Sequence, residues 1–181
     1  GSDSLPILLE AVTKVSRTGP GFLDETIRAD AMAEMRSLML SVERLGSLAQ
    51  SVDRMQQAAR AVRDQLSNDT WAVLARIDTA LDELGESAVN NGAQLAASQS
   101  SVLRGLLALS GLASESMVRD AGWYLMDAGK RIERGLQLTA LLSATLSHAL
   151  TPSTEQAVID SVLSAAESSV IYRRRNSGRA R

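Results

Sequence analysis

Between residues 25 and 66, apolar side chains recur every three or four positions: Met32, Met35, Leu38, Met39 and Val42, then Leu45, Leu48, Val52, Met55, Ala59, Val62 and Leu66. That spacing lines them along one stripe of an α-helix and is incompatible with the two-residue period of a half-buried strand. Two further series follow, Trp71, Leu74, Ile77, Leu81 and Leu84, then Leu95, Val102, Leu103, Leu106, Leu107 and Leu109. The 181 residues hold three prolines and 3% aromatics, and no β-branched run alternates with polar positions. The chain is therefore expected to be all-α.

Local punctuation divides the stripes into helices. Leu5 to Val15 is an apolar helix halted by "RTGPGF", where Gly19, Pro20 and Gly21 interrupt helical dihedrals and remove a donor. A second helix is expected after Asp24, broken near Leu45 to Ser47 because Gly46 costs about 1 kcal/mol in a helix interior. "QLSNDTW" reads as a tight corner with Ser67, Asn68 or Asp69 as the cap of the next helix. "ESAVNNGAQLAASQSS" reads as a loop or a weakly apolar helix start, and "SGLAS" as the end or bend of the helix before it. The longest segment, 115–149, closes at "TPS", and a last helix runs from Thr154 to about Arg174. Short links between six to seven helices predict an antiparallel bundle. One domain is expected over 3–175, preceded by Gly1 and Ser2 as a cleaved-tag scar and followed by a frayed polar, basic tail at 176–181.

Charge and cysteine content narrow the chemistry. Net charge is −2, and five arginines (173, 174, 175, 179 and 181) close the chain, so the body before them carries −2 less five, or −7. An acidic body without a basic groove and interleaved aromatics argues against nucleic acid. Cysteine is absent, which removes disulfides, thiolate metal sites and thiol nucleophiles and fits a reducing compartment, with the cytoplasm as the expected location. The most apolar stretches, 101–113 and 135–150, are interrupted by Arg104, Gln137, His148 and serines. Neither supplies the ~20 apolar residues that span a bilayer. His148 is the sole histidine, and Thr145 rather than Glu precedes it by three, so the Glu-x-x-His pairs of a di-iron bundle are missing. No metal ligand set, phosphate loop or nucleophile elbow is present. At a helix end near Pro152, His148 reads as a dipole partner or surface group rather than a phosphorelay residue.

Three constellations remain. In "GWYLMDAGKRIERGLQLTALL", residues 122–142, a helical wheel gathers Val118, Ala121, Leu125, Ala128, Gly129, Ile132 and Leu136 on one side, expected to face the core with the glycines allowing close helix approach. Arg119, Trp123, Lys130 and Arg134 gather on the other side with Glu133 beside them, and Arg119 is placed to stack on Trp123. A solvated stripe is one reading. A large aromatic among cations favours an interface, a Glu133–Arg134 pair buried in structure is a third reading, and catalysis lacks a second polar partner for Glu133. In "ARAVRDQLSNDTW", Arg60, Arg63, Asp64 and Asp69 surround a helix corner, with Arg60 and Asp64 at i,i+4; they either lock the corner or present two arginines to an anion. In "YRRRNSGRAR", Tyr172 precedes three adjacent arginines, Arg173, Arg174 and Arg175, which point in different directions, so some can reach acidic protein or nucleic acid while others pair with the acidic body.

Taken in order, these three segments, with "LPILLEAVTKVSRTGPGF" and "RLGSLAQSVDRM", resemble the alpha-E domain, a bacterial helical domain named for its Glu-Arg motif. The resemblance puts that motif on Glu133 and Arg134, its Arg-Asp segment on Arg63 and Asp64, and its tyrosine-arginine segment on Tyr172 to Arg175. Lys130 stands where the motif usually has Arg, and Gly135 where Ala is more frequent. The Glu43-Arg44 dipeptide lacks the flanking context and is read as unrelated. The family usually opens with an earlier Glu-Arg helix and continues past the tyrosine-arginine segment, so the chain is expected to be shortened at both ends. Such domains are commonly fused to, or encoded beside, circularly permuted ATP-grasp and transglutaminase-like proteins. The resemblance thus implies a helical accessory module that docks onto, or presents substrate to, an amide-forming ligase. The alternative is a catalytic or ligand-binding part in which Glu133 is acid/base and the arginines hold a carboxylate or phosphate. No cofactor is expected in this chain, with ATP and Mg confined to the ATP-grasp partner.

Overall fold

A computed structural model describes residues 3–87, 91–147 and 149–176, and among these every regular element is helical. Helix α1 (Ser4–Ser16) ends at Arg17, which takes left-handed dihedrals with φ 58°. A 3-10 turn at Gly21–Leu23 follows, fastened where the Phe22 N–H donates to the Thr13 hydroxyl at 2.8 Å. The helix expected after Asp24 is two pieces, α2 (Glu25–Arg28) and α3 (Ala31–Leu40). Asp30 separates them because its carboxylate accepts from Ala33 N–H at 3.0 Å, a cap geometry that competes with helix interior. The expected break at Gly46 is a full turn, in which Gly46 adopts φ 83° and Ser47 caps α4 (Leu48–Ala61) through Gln50 N–H at 3.1 Å. Gln50 reaches back to accept from Gly46 N–H, a variant of the capping box.

Ser67 caps α5 (Asn68–Glu86), and Asn91 caps α6 (Gly92–Glu115). Helix α6 ends at Glu115, one residue past "SGLAS", as expected, although it runs through Gly111 itself. Leu109 and Leu112 pack against the buried core on either side of that glycine, enough to outweigh its intrinsic cost of about 1 kcal/mol. Helix α7 (Ala121–Thr145) is the longest. Helix α8 (Pro152–Ala165) opens on Pro152, whose missing N–H costs nothing in a first turn. The single last helix expected from Thr154 is divided into α8 and α9 (Ser169–Asn176). Glu167 takes φ 53° between them, and Ser168 N–H returns to Leu163 O at 2.8 Å, a left-handed helix end achieved without glycine. Nine helices therefore stand among the described residues in place of six or seven. Gly1, Ser2, His148 and residues 177–181 of the expected tail lie outside the described residues.

The chain gathers into two compact units, one of Glu25–Gly129 and one of Gly1–Asp24 with Lys130–Arg181. In the first, α5 and α6 are antiparallel. Ser87 donates to Gln94, Ser98 to the Ala80 carbonyl, and Gly105 meets Ile77, so each step along α6 retraces α5. Met39, Val52, Val73, Ile77, Ala80, Leu81, Leu84, Leu95 and Val102 form its core, drawn from α3 to α6. Burial of this cluster, at about 25 cal/mol per Å² of apolar surface, holds the unit. In the second unit, α1 packs on the 3-10 turn and on α8, and α8 on α9; Ala11, Phe22, Ala144, Val158 and Val162 are buried there.

Gly105 lets α6 approach α5 closely. A Cβ at that position would lie 2.5 Å from Cγ1 of the fully buried Ile77. Gly105→Ala is therefore expected to lose about 1–3 kcal/mol by overpacking despite the better helix propensity of alanine. The urea midpoint followed by tryptophan emission checks it, and an unchanged midpoint would mean that Ile77 moves aside at no cost.

Candidate functional site

Trp123 is held in the first turn of α7. Its indole N–H donates to Ala113 O at 3.0 Å, occupying one of the carbonyls that the last turn of α6 leaves without a helical partner. Asp120 caps the same turn by accepting from Trp123 N–H at 3.0 Å. The Arg119 guanidinium lies 5.4 Å from the indole centroid, the expected stack, although Arg119 precedes α7 and so is not in helical register with Trp123, and Tyr124 meets the indole edge-on with ring centroids 5.3 Å apart. The indole is half-buried and completes a helix junction, while Arg119 is exposed.

Farther along α7, the wheel is legible but its inward side is not where expected. Leu125, Ile132 and Leu136, assigned to the core, are 75%, 65% and 48% exposed. Of the two glycines expected to admit a neighbouring helix, a Cβ at Gly129 would meet nothing within 4 Å, while one at Gly122 would lie 3.2 Å from Asp120 Oδ1 and 3.7 Å from Gln65 Oε1. Apolar periodicity records which side of a helix could be buried, not that something covers it. Every residue from Ala128 to Leu136 is exposed, including Lys130, Arg131, Glu133 and Arg134. Glu133 accepts from the Gln137 side-chain amide at 2.7 Å, one turn along. Glu133 and Arg134 are thus a solvent-facing dipeptide, which corrects the buried-pair reading.

At the α4–α5 corner, Arg63 lies 5.3 Å over the Trp71 ring, a cation–π contact between two elements that helical spacing could not reveal. Arg60 does not follow the expected i,i+4 geometry toward Asp64. It donates to Gln56 Oε1 at 3.0 Å, because α4 stops at Ala61 and a 3-10 turn at Arg63–Gln65 takes Asp64 out of helical register. The corner is locked by stacking and amide contacts rather than by the expected ion pair. Tyr172, Arg173 and Arg174 are all exposed on α9, with Arg173 Nε donating to Ser169 O at 3.3 Å. A shallow groove of about 430 Å³ between α5 and α6, lined by Arg76, Glu83, Ser101 and Arg104, is a further polar concavity.

The family model for Alpha-E, described as a predicted alpha-helical domain with a conserved ER motif, matches residues 2–181. The chain belongs to the Alpha-E family. The Alpha-E chain is 50% identical over 189 residues to an uncharacterized protein of Mycobacterium bovis and 49% identical to one of Mycobacterium tuberculosis, each covering 98% of the chain. It spans 21% of the length of these curated relatives. No solved structure matches it. No described helix is long and apolar enough to cross a membrane.

Glu-Arg occurs twice in this Alpha-E chain, at 43–44 and 133–134, and the two arginines differ sharply. Arg44, whose dipeptide lacks the motif's flanking residues, makes a forked ion pair with Glu34: Nη2 to Oε1 at 2.6 Å and Nη1 to Oε2 at 2.9 Å, with Ser37 Oγ accepting at 3.0 Å. The hydrogen bond to Glu34 raises the Arg44 pKa above its ordinary value; burial opposes this and the Glu34 charge adds to it. Arg36 likewise donates from Nη2 to the carbonyls of Leu84, Gly85 and Ser87 at 2.6, 3.1 and 3.0 Å, closing the end of α5. Both arginines reach across a turn or to a distant helix, contacts for which local spacing carries no signal.

Proposed function

We propose that this Alpha-E domain is a non-catalytic docking module whose exposed α7 segment engages an ATP-grasp ligase and helps present an amide-bond substrate to it. The carrying observation is the run Ala128–Leu136, exposed throughout and carrying both large apolar side chains, Ile132 and Leu136, and cations, Lys130, Arg131 and Arg134. Apolar anchors interleaved with arginine are the composition of a protein interface rather than of a purely solvated stripe. The class of partner rests on the family resemblance, which also extends to a transglutaminase-like protein; ATP and Mg belong to the ligase in this reading. Arg60, Arg63, Arg119 and the Tyr172–Arg174 segment are secondary contact candidates. Glu133 has the Gln137 amide beside it and no second carboxylate or imidazole bonded to it among the described residues, so general acid/base work is not favoured.

The test is ATP turnover and binding by the associated ATP-grasp enzyme with the intact Alpha-E protein, over amino-acid and peptide acceptors. Ile132→Ser combined with Arg134→Glu is expected to weaken binding at least about tenfold with unchanged helicity, since both side chains are exposed. Glu133→Gln is expected to leave both measurements within about twofold, a difference under about 0.5 kcal/mol. Collapse of turnover in Glu133→Gln with binding intact would replace docking by catalysis at that carboxylate. Unchanged binding by the double variant would remove α7 from the interface.

A further inference from the structure

Away from α7, the unit Glu25–Gly129 carries a groove of about 530 Å³ with two chemistries. Leu40, Val42, Ala49, Val52 and Leu81 supply apolar lining, and Val42 is 51% exposed there. Asp53, Asp78, Asp82 and Glu86 supply four carboxylates on the same lining. Three cations on the neighbouring elements are engaged elsewhere, Arg36 on the α5 carbonyls, Arg44 on Glu34 and Arg60 on Gln56, while Arg54 beside Asp53 is exposed. Asp53 and Asp78 accept from glutamine amides, which bring no positive charge to them. Asp82 and Glu86 make no hydrogen bond or ion pair among the described residues. Four carboxylates beside an apolar surface are complementary to a cationic, partly apolar segment.

The chain itself contains such a segment. On α9, Val170, Ile171, Arg174 and Arg175 fall within an arc of about 140° at 100° per residue, and all four are exposed. Two apolar side chains are followed one turn later by two guanidiniums, which matches an apolar groove edged by carboxylates. We infer that this groove receives α9 of a second copy of the chain. Val170 and Ile171 cover the surface around Val42 and Val52, and Arg174 and Arg175 meet Asp82 and Glu86. Each copy carries both parts, so two copies related by a two-fold axis would make the contact twice and close as a dimer.

Sedimentation of the full chain at low and high salt tests this. Association to twice the monomer mass is expected at low salt, weakening as ionic strength rises because the rim charges are solvent-exposed. Asp82→Lys with Glu86→Lys, and separately Arg174→Glu with Arg175→Glu, should each weaken self-association at least about tenfold at unchanged helicity. Mixing the two charge-reversed proteins should restore a mixed dimer, held by one contact of the original polarity and one of the inverted polarity. A monomer at all salt concentrations overturns the inference, as does a dimer indifferent to both reversals or a mixture that fails to reassociate. None of these outcomes depends on ligase binding, so the docking proposal for α7 stands or falls separately.

Discussion

Replacing Phe22 by Ala is expected to destabilise the chain by about 3–5 kcal/mol, the range for removing a fully buried aromatic ring from a packed interior. Phe22 is the largest fully buried side chain among the described residues, and the sequence holds no other phenylalanine. It sits in the 3-10 turn that packs on α1, and its backbone N–H is tied to the Thr13 hydroxyl. Its ring therefore fills a position that no other phenylalanine can take over, and the turn is too short to reposition another side chain. Urea unfolding followed by far-UV ellipticity checks the expectation. Phe22→Leu, which keeps most of the volume, should lose well under half as much. A loss below about 1 kcal/mol for Phe22→Ala would mean that the cavity collapses and the turn is not an anchor of its unit.

What the sequence discloses depends on whether a signal is local. Of three candidate caps in "QLSNDTW", Ser67 is the one used, because a hydroxyl just ahead of a helical stretch can accept from a free helix N–H wherever the chain ends up. The turn at Glu167 leaves no comparable mark. Left-handed helix ends usually announce themselves by glycine, and "AESS" contains none. Gly111 marks the helix end only approximately: Leu109 and Leu112 pack against the core and carry α6 through the glycine to its end at Glu115.

The candidate site shows the same division. Although Arg119 sits ahead of α7 and the turn capped by Asp120, not helical register, sets the stacking, the closeness of Arg119 and Trp123 along the chain is readable. The inward direction of α7 is not, since Leu125, Ile132 and Leu136 form an apolar stripe whether or not anything lies against it. The wheel puts Trp123 on the non-core side, yet its N–H completes the end of α6, a contact that requires knowing where α6 stops. An exposed apolar stripe on a long helix is hard to reconcile with an isolated role, and that links the direction of α7 to the docking proposal.

Removing Glu34 should be the second large perturbation. Glu34 is 8% exposed and Arg44 24%, so Glu34→Ala leaves a guanidinium partly desolvated and without the carboxylate that its fork grips, while Ser37 Oγ remains beside it. Breaking a buried pair from one side costs about 3–5 kcal/mol, and the residual exposure of Arg44 reduces the expectation to about 2–3 kcal/mol. Tryptophan emission against urea is the appropriate readout, because Trp71 belongs to the same unit. Arg44→Lys should cost less, about 1–2 kcal/mol, since an ammonium keeps the charge but cannot make the fork. The joint change Glu34→Leu with Arg44→Met should recover most of the loss, because no charge is then left buried alone. With the folded pKa of Arg44 raised, its contribution is fully present below the ordinary arginine value and is lost only as pH rises through the higher folded one. The Arg44 side of the pair therefore adds no slope to stability around neutral pH. If the joint variant is as unstable as Glu34→Ala, packing rather than the stranded charge is what Glu34 supplies to the turn between α3 and α4.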